Sequence, residues 1–316
     1  MKKQIFADEI STHLSKEIRE VFYLQYIKTT KVENATWMEL GLKDRKGTCL
    51  GRIWADYIKP EYQDMEHSLV EVLGKVEVYR DRFEIRIILM RPVSEGNPAD
   101  FQDTLSNEER KKCEDQIMKA MDAIKDDRYR ALCQAILKPG VLAKCRRLPG
   151  YIPYSYSYAG GYLKSISDLL KFSDTVIAMA IPEREQRQFQ EDLFVAAVLL
   201  SNIGHINHYS ADSFSYWKNS RSDLLGTATD TIMNLVLTNR ELPNQSQVSD
   251  ITPLLHIVNA VHGVVEPQTK EAIVLCKLQE LVCSMSAYDE CLFANQKKGN
   301  ERSRLYSKYF GMTIEN

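Results

Sequence analysis

The sequence contains no Cys-x-x-Cys pair, almost no net charge and no apolar run long enough to cross a bilayer, and each absence removes a class of function. Its seven cysteines (Cys49, Cys113, Cys133, Cys145, Cys276, Cys283 and Cys291) are scattered and odd in number. That pattern points to reduced thiols rather than a disulfide framework or a cysteine-built metal site. Lysine and arginine number 41 against 43 aspartates and glutamates, so any contact with a polyanion has to come from a local patch. The longest apolar runs, such as "LFVAAVLL" at 193–200, fall far short of the roughly 20 residues that span a bilayer. The opening "MKKQIFADEISTHL" is broken by acidic and polar residues before a signal-peptide core can form. The expectation is a cytoplasmic protein with no membrane partner. Internal repeats and low-complexity stretches are absent as well.

What is present reads as two kinds of structure. A chain of 316 residues, 44% hydrophobic, can hold two domains, each with its own core. In the first 95 residues, "TWMELGLKD" alternates apolar and polar residues and is followed by the turn "DRKG"; "TCLGRIWAD" then alternates again. "LVEVLGKVEVYRDRFEIRIILMRPV" supplies two further strands joined at Arg80-Asp81, and the stretch from Glu61 to Ser68 is helix-like. Short strands in a meander with a helical insertion fit a five-stranded barrel of the OB type, the alternative being an unrelated small antiparallel sheet. Beyond Leu105 the period changes to that of a helix, with Ser106 or Asn107 placed to cap it and Glu109 in the first turn. "KPG" and "RLPGYIP" interrupt the pattern. Helices are then expected over 161–180, 184–201, 222–239, 250–262 and 269–293. The expected fold class is α+β multidomain: a barrel over 1–95, a helical linker over 96–150 and an all-α domain over 151–316.

That order of modules resembles the YhaM-type 3′–5′ exoribonucleases, which place an OB-fold before an HD-superfamily helical domain. The resemblance is carried by "LGLKDRKGTCLGRIWAD" in the barrel, "NPADF" at its exit, "YSYSYAGGYLKSISDLLKFSD", "DLFVAAVLLSNIGHI", "DLLGTATDTI", "LLHIVNAVHG" and "KEAIVLCKLQELVCSM". It covers most of the chain, and the order and spacing of the segments make it specific.

The departures lie where the resemblance implies a metal centre. An HD phosphohydrolase holds one or two divalent metals with imidazoles and carboxylates; the metals activate a water and neutralise charge on phosphate oxygens. The implied ligand positions here hold Ser155, Tyr156, Ser165, Ser201, Asn202, Thr227, Val261, His262, Gln279 and Val282, with His205 in place of a lysine. The check that needs no alignment agrees: none of the six histidines is followed by aspartate. Neutral hydroxyls and amides are weak ligands for Mg²⁺ or Mn²⁺. The expectation is a degenerate site with no catalytic residue, no metal and no cofactor. His205 and His208, with Asp212 nearby, and His256 with His262 offer a weak alternative cluster, since no third anionic ligand has matching spacing. "AGG" at 159–161 is read as a close-packed helix start rather than a phosphate loop.

Binding features remain. Trp37, Arg52 and Trp54 lie on adjacent strands, and Tyr79, Arg80, Arg82 and Arg86 on the later hairpin; OB-folds stack bases on aromatics while basic residues follow the backbone. The competing reading makes Trp54 a core residue and the "YRDR" turn a solvated tip. Tyr151, Tyr154, Tyr156 and Tyr158 cluster where the active-site rim would be and suggest a binding surface or a plugged pocket. The tail, with Lys297, Lys298, Arg302, Arg304, Tyr306, Lys308 and Tyr309, is basic and aromatic. The leading functional expectation is a catalytically inactive YhaM-like protein that binds single-stranded RNA or DNA, a protein partner, or copies of itself as a homo-oligomer. The alternatives are an active 3′–5′ exoribonuclease using Mn²⁺ or Mg²⁺ at an unconventional site, and an oligomeric scaffold that does not touch nucleic acid.

Overall fold

A computed structural model describes residues 3–32, 35–150, 155–180, 189–242 and 248–296. The chain divides into two compact units: Met1–Asp103 with Ala211–Ser215, and Thr104–Ser210 with Tyr216–Asn316.

In the first unit, strands β1 (Glu17–Val32), β2 (Ala35–Asp44), β3 (Gly47–Trp54), β4 (Ser68–Tyr79) and β5 (Arg82–Val93) close into a barrel. The order around it is β1-β2-β3-β5-β4, with β4 returning to β1. Every pairing is antiparallel except β3 with β5. That strand order is the OB arrangement. Alternation sends Met38, Leu40 and Leu42 of β2, Val70, Val72 and Val76 of β4, and Ile85 and Ile87 of β5 into one core. Each such side chain contributes about 1.5–3 kcal/mol when fully buried. β1 is the strand that alternation does not reveal: Val21, Phe22, Tyr23 and Leu24 are all buried, so its two faces look alike in the sequence. The helix-like insertion is a 3-10 turn over Pro60–Met65. Arg80 and Asp81 both take positive φ, 48° and 61°, the mirror-image turn that matches the twist of a tight hairpin. A 3-10 segment at Ala7–His13 covers part of the core with Ala7 and Ile10. Lys3 anchors this segment, its Nζ 3.3 Å from Asp44 and 3.7 Å from the centre of the Phe22 ring.

The second unit contains α1 (Asn107–Ala123), α2 (Asp127–Ile136), α3 (Pro139–Cys145), α4 (Gly161–Ala180), α5 (Glu191–Leu200), α6 (Ser220–Leu224), α7 (Thr227–Glu241), α8 (Thr252–Val261) and α9 (Lys270–Gln296). Ser106 and Glu109 form the expected capping box at the start of α1: the Ser106 hydroxyl accepts from the Glu109 N–H at 3.2 Å, and the carboxylate accepts from the Ser106 N–H. α1 packs against α4; of the stretch 96–150 expected as a linker, 96–103 falls in the barrel unit and 104–150 in the helical unit. α5 is buried on all sides through Leu193, Phe194, Ala196, Ala197, Val198, Leu199 and Leu200, as befits a helix with no polar face. The helix expected over 222–239 breaks at Leu225 and Gly226, where extended Gly226 caps α7. Two three-residue strands, β6 (Tyr209–Ala211) and β7 (Tyr216–Lys218), pair with each other and were not anticipated. Among the described residues, no helix is long and apolar enough to cross a membrane.

Candidate functional site

The buried helix α5 delivers its C-terminus, Ser201 and Asn202, to the centre of the helical unit, where both are buried. Asn202 Nδ2 donates to Ser201 Oγ at 3.2 Å and to Gln279 Oε1 of α9 at 3.1 Å. His262, at the C-cap of α8, bonds through Nε2 to the Ser201 carbonyl at 2.9 Å. A carbonyl only accepts, so Nε2 carries the proton. Burial lowers the His262 pKa, which keeps the ring neutral. Four of the positions singled out from the sequence therefore meet as one neutral hydrogen-bonded group: Ser201, Asn202, His262 and Gln279.

The other positions take up other partners. Ser165 Oγ bonds back to the Tyr162 carbonyl at 2.8 Å. Ser155 is buried, and its hydroxyl has no hydrogen-bond partner among the described residues. Val282 is buried in the apolar packing, whereas Val261 is half-buried. Tyr156 turns inward, with φ of 53° and a hydroxyl that donates to Asp168 at 3.0 Å. It is 5% exposed, so its ring is not open to a partner. Tyr158 is half-buried, while Tyr151, Tyr154 and the basic tail from Lys297 lie outside the described residues. The "AGG" segment is a close-packed helix start: Gly160 takes a φ of +90°, and a Cβ on Gly161 would lie 1.9 Å from the Tyr156 carbonyl oxygen.

His205 is enclosed. Its Nε2 lies 3.1 Å from the Pro149 carbonyl oxygen, and its ring stacks on Tyr162 at 5.7 Å and tilts against Tyr209 at 4.7 Å. Burial holds its pKa down to about 4. His208 does not pair with Asp212. Its Nε2 lies 2.8 Å from Asp230 Oδ2, and its Nδ1 is 3.4 Å from Thr227 Oγ1. Asp230 is fully buried and also accepts from Arg221 at 2.8 Å; that bond holds its carboxyl below the usual range. Asp212 belongs to the barrel unit, where it accepts from Tyr23 Oη at 3.2 Å. His256 Nε2 accepts from the Gln268 N–H at 2.9 Å. Sequence spacing missed Arg221 and Asp230, because Asp230 meets Arg221 and His208 from 9 and 22 residues away.

These donors do not fit a divalent metal. In the group around Asn202 the buried atom without a partner is Asn202 Oδ1, a neutral amide oxygen. Its neighbours are a hydroxyl, another amide and an imidazole already committed to a carbonyl. The buried Asp230 carboxylate is committed to His208 and Arg221. Among the described residues no group of three or more His, Cys, Asp or Glu side chains is arranged to hold an ion. A hard divalent ion takes oxygen ligands that supply charge, and this set supplies none.

On the barrel, Trp37 and Trp54 face each other across β2 and β3, their rings 6.0 Å apart, and Tyr79 meets Trp54 edge-on at 6.2 Å. All three rings are half-buried. Arg52 lies among them, 4.1 Å from the centre of the Tyr79 ring and 5.6 and 5.7 Å from Trp54 and Trp37. It is not available to a phosphate. Its guanidinium makes a two-pronged pair with Glu84 at 2.8 and 2.9 Å, and both side chains are buried. The parallel pairing of β3 with β5 creates this contact, so no local pattern shows it. Arg80, Arg82 and Arg86 are exposed. The arrangement offers partly open aromatic rings held by a buried, charge-neutral clamp, with cations around them.

No model of a protein family matches the chain. Among curated proteins, it is 24% identical over 280 residues to the 3′–5′ exoribonuclease YhaM of Bacillus subtilis, covering 86% of this chain and 85% of the relative. It is 20% identical over 279 residues to YhaM of Bacillus pumilus, with the same shares covered. Among solved structures, the second OB-fold domain of replication protein A from Methanococcus maripaludis is 23% identical, covering 27% of this chain and 89% of that domain, at a TM-score of 0.19. That structural likeness is too slight to carry an argument, and the barrel's assignment rests on its strand order. The long match to these curated relatives, over 86% of the chain and 85% of theirs, makes the chain similar to the YhaM-type 3′–5′ exoribonucleases at the level of the family.

Proposed function

We propose that this chain is a YhaM-family protein without a hydrolytic metal centre, and that it works by binding single-stranded nucleic acid on the aromatic face of its barrel. The observation that carries the reading is the bond between Asn202 and Gln279. One amide donates to the other where the family resemblance implies carboxylates, so the group is neutral and linked by its own hydrogen bonds. Binding is supported by the rings of Trp37, Trp54 and Tyr79, which are partly open and held in place by the Arg52–Glu84 pair. Base stacking on such rings tolerates any sequence, because every base has a π-face.

The test uses a labelled single-stranded oligoribonucleotide with Mn²⁺ supplied. The expected outcome is binding that weakens as salt rises, with the RNA left intact. Replacing Trp54 by alanine lowers affinity by about 1–3 kcal/mol, the worth of one stacked base. Metal-dependent trimming from the 3′ end, abolished by His262→Ala, would overturn the reading. That outcome would favour the second reading, an active exoribonuclease, which the names of the relatives support.

A further inference from the structure

The strand register around the barrel lines up five charged residues in one row. Glu39 of β2 stands opposite Arg52 of β3, Arg52 opposite Arg86 of β5, Arg86 opposite Lys75 of β4, and Lys75 opposite Glu17 of β1. The three central positions are all cations. Arg52 is neutralised by Glu84. Arg86 and Lys75 are exposed and, among the described residues, make no ion pair, although they face each other directly across β4 and β5. Like charges directly opposite in a sheet are destabilising, so this juxtaposition is a cost to the free protein that a bound anion would relieve.

We infer that Arg86 and Lys75 together seat one phosphate of the strand whose bases stack on Trp37, Trp54 and Tyr79; this inference rests on the nucleic-acid reading above. The strand spacing in a sheet is about 4.8 Å, so two cations on neighbouring strands can share a single phosphate group. Carboxylates close both ends of the row, Glu39 beyond Arg52 and Glu17 beyond Lys75, and Glu77 lies two residues from Lys75 on the same face. The favourable potential is therefore confined to the middle of the row. This is a localised seat, not a general cationic surface. Its link to the rings runs through Arg52, which is next to Arg86 in register and in contact with Tyr79. A nucleic acid suits the seat better than an acidic protein, because stacking surface and paired cations occur side by side.

The experiment measures affinity for an oligouridine of about 12 nucleotides, within the range one barrel accommodates, across a salt series. The variants are the full-length wild type, the double variant Arg86→Gln, Lys75→Gln, and Trp54→Ala. A single phosphate contact contributes about 0.7 to the slope of log affinity against log salt for single strands. The double variant is expected to lose about that much slope and several-fold in affinity, while Trp54→Ala loses affinity with its slope unchanged. The double variant's thermal midpoint is expected to stay level or rise, since a repulsive pair has been removed; that separates lost binding from lost folding. If the double variant keeps the full slope while Trp54→Ala still weakens binding, the seat is refuted and the aromatic reading survives. If no variant and no wild type binds, both fail. If polyglutamate of matched charge binds the wild type as well as the RNA does, the seat belongs to an acidic polypeptide and the inference is overturned.

Discussion

Acidification from pH 7 to pH 5 should weaken the helical unit through His205, and the size of the effect follows from where that ring lies. In the unfolded chain an ordinary imidazole titrates at 6.5, whereas burial between Tyr162 and Tyr209 holds His205 at about 4. Between those values the unfolded chain binds the proton and the fold does not, so stability is full above 6.5 and falls as pH drops toward 4. At pH 5 the unfolded ring is almost wholly protonated and the folded ring about nine-tenths neutral. The difference amounts to about 2 kcal/mol against a few tenths at pH 7. His262, also held below its ordinary value by burial, contributes in the same direction. Asp44 and Glu290 are raised by burial and oppose it, so the total slope is a sum and the informative quantity is a difference. His205→Gln keeps an N–H donor for the Pro149 carbonyl but cannot titrate. Urea unfolding followed by far-ultraviolet circular dichroism at both pH values should show the wild type losing about 2 kcal/mol more than the variant. Equal losses in the two proteins would refute the argument, because the buried imidazole would then not be the group that resists protonation.

Four further outcomes are expected. Glu84→Gln leaves the Arg52 guanidinium buried without its counter-charge and should cost the barrel about 3–5 kcal/mol, read from the fluorescence of Trp37 and Trp54 during denaturation; a loss below about 1 kcal/mol would mean the pair is solvated. Millimolar Mn²⁺ should leave the wild-type thermal midpoint unmoved, since a ligand that does not bind the fold cannot stabilise it. Asn202→Asp should lose about 1–3 kcal/mol by removing the donor to Ser201 and Gln279 and burying a carboxylate in its place; a variant as stable as the wild type would count against the neutral network. Gly161→Ala should destabilise by about 1–3 kcal/mol, because its Cβ collides with the Tyr156 carbonyl and the start of α4 has to move; an unchanged midpoint would show that the turn gives way freely.

Much of the fold is legible in residue order because its signals are local. Alternation in "TWMELGLKD" and "TCLGRIWAD" marks β2 and β3, and the Ser106 and Glu109 pair marks the start of α1. The break at Gly226 is harder to read, since a glycine within a helical pattern can be tolerated or can start a new helix. The candidate site divides in the same way. That Ser201, Asn202 and Gln279 are neutral is visible at once, but that the two amides bind each other across 77 residues is not. Arg52 shows most clearly what residue order conceals. Beside two tryptophans it looks like a phosphate ligand, and only the pairing of β3 with β5 brings Glu84, 32 residues away, onto its guanidinium. His208 likewise finds Asp230 rather than Asp212.

Residue order alone determined the two kinds of structure, the barrel's alternating strands and the neutral chemistry of Ser201, Asn202 and Gln279, because periodicity and side-chain chemistry are properties of the chain itself. Tertiary structure decided which charges cancel: it took Arg52 out of play, left Arg86 facing Lys75, and turned Tyr156 inward. Charges interact through space, and strands far apart in the chain become neighbours only when the barrel closes.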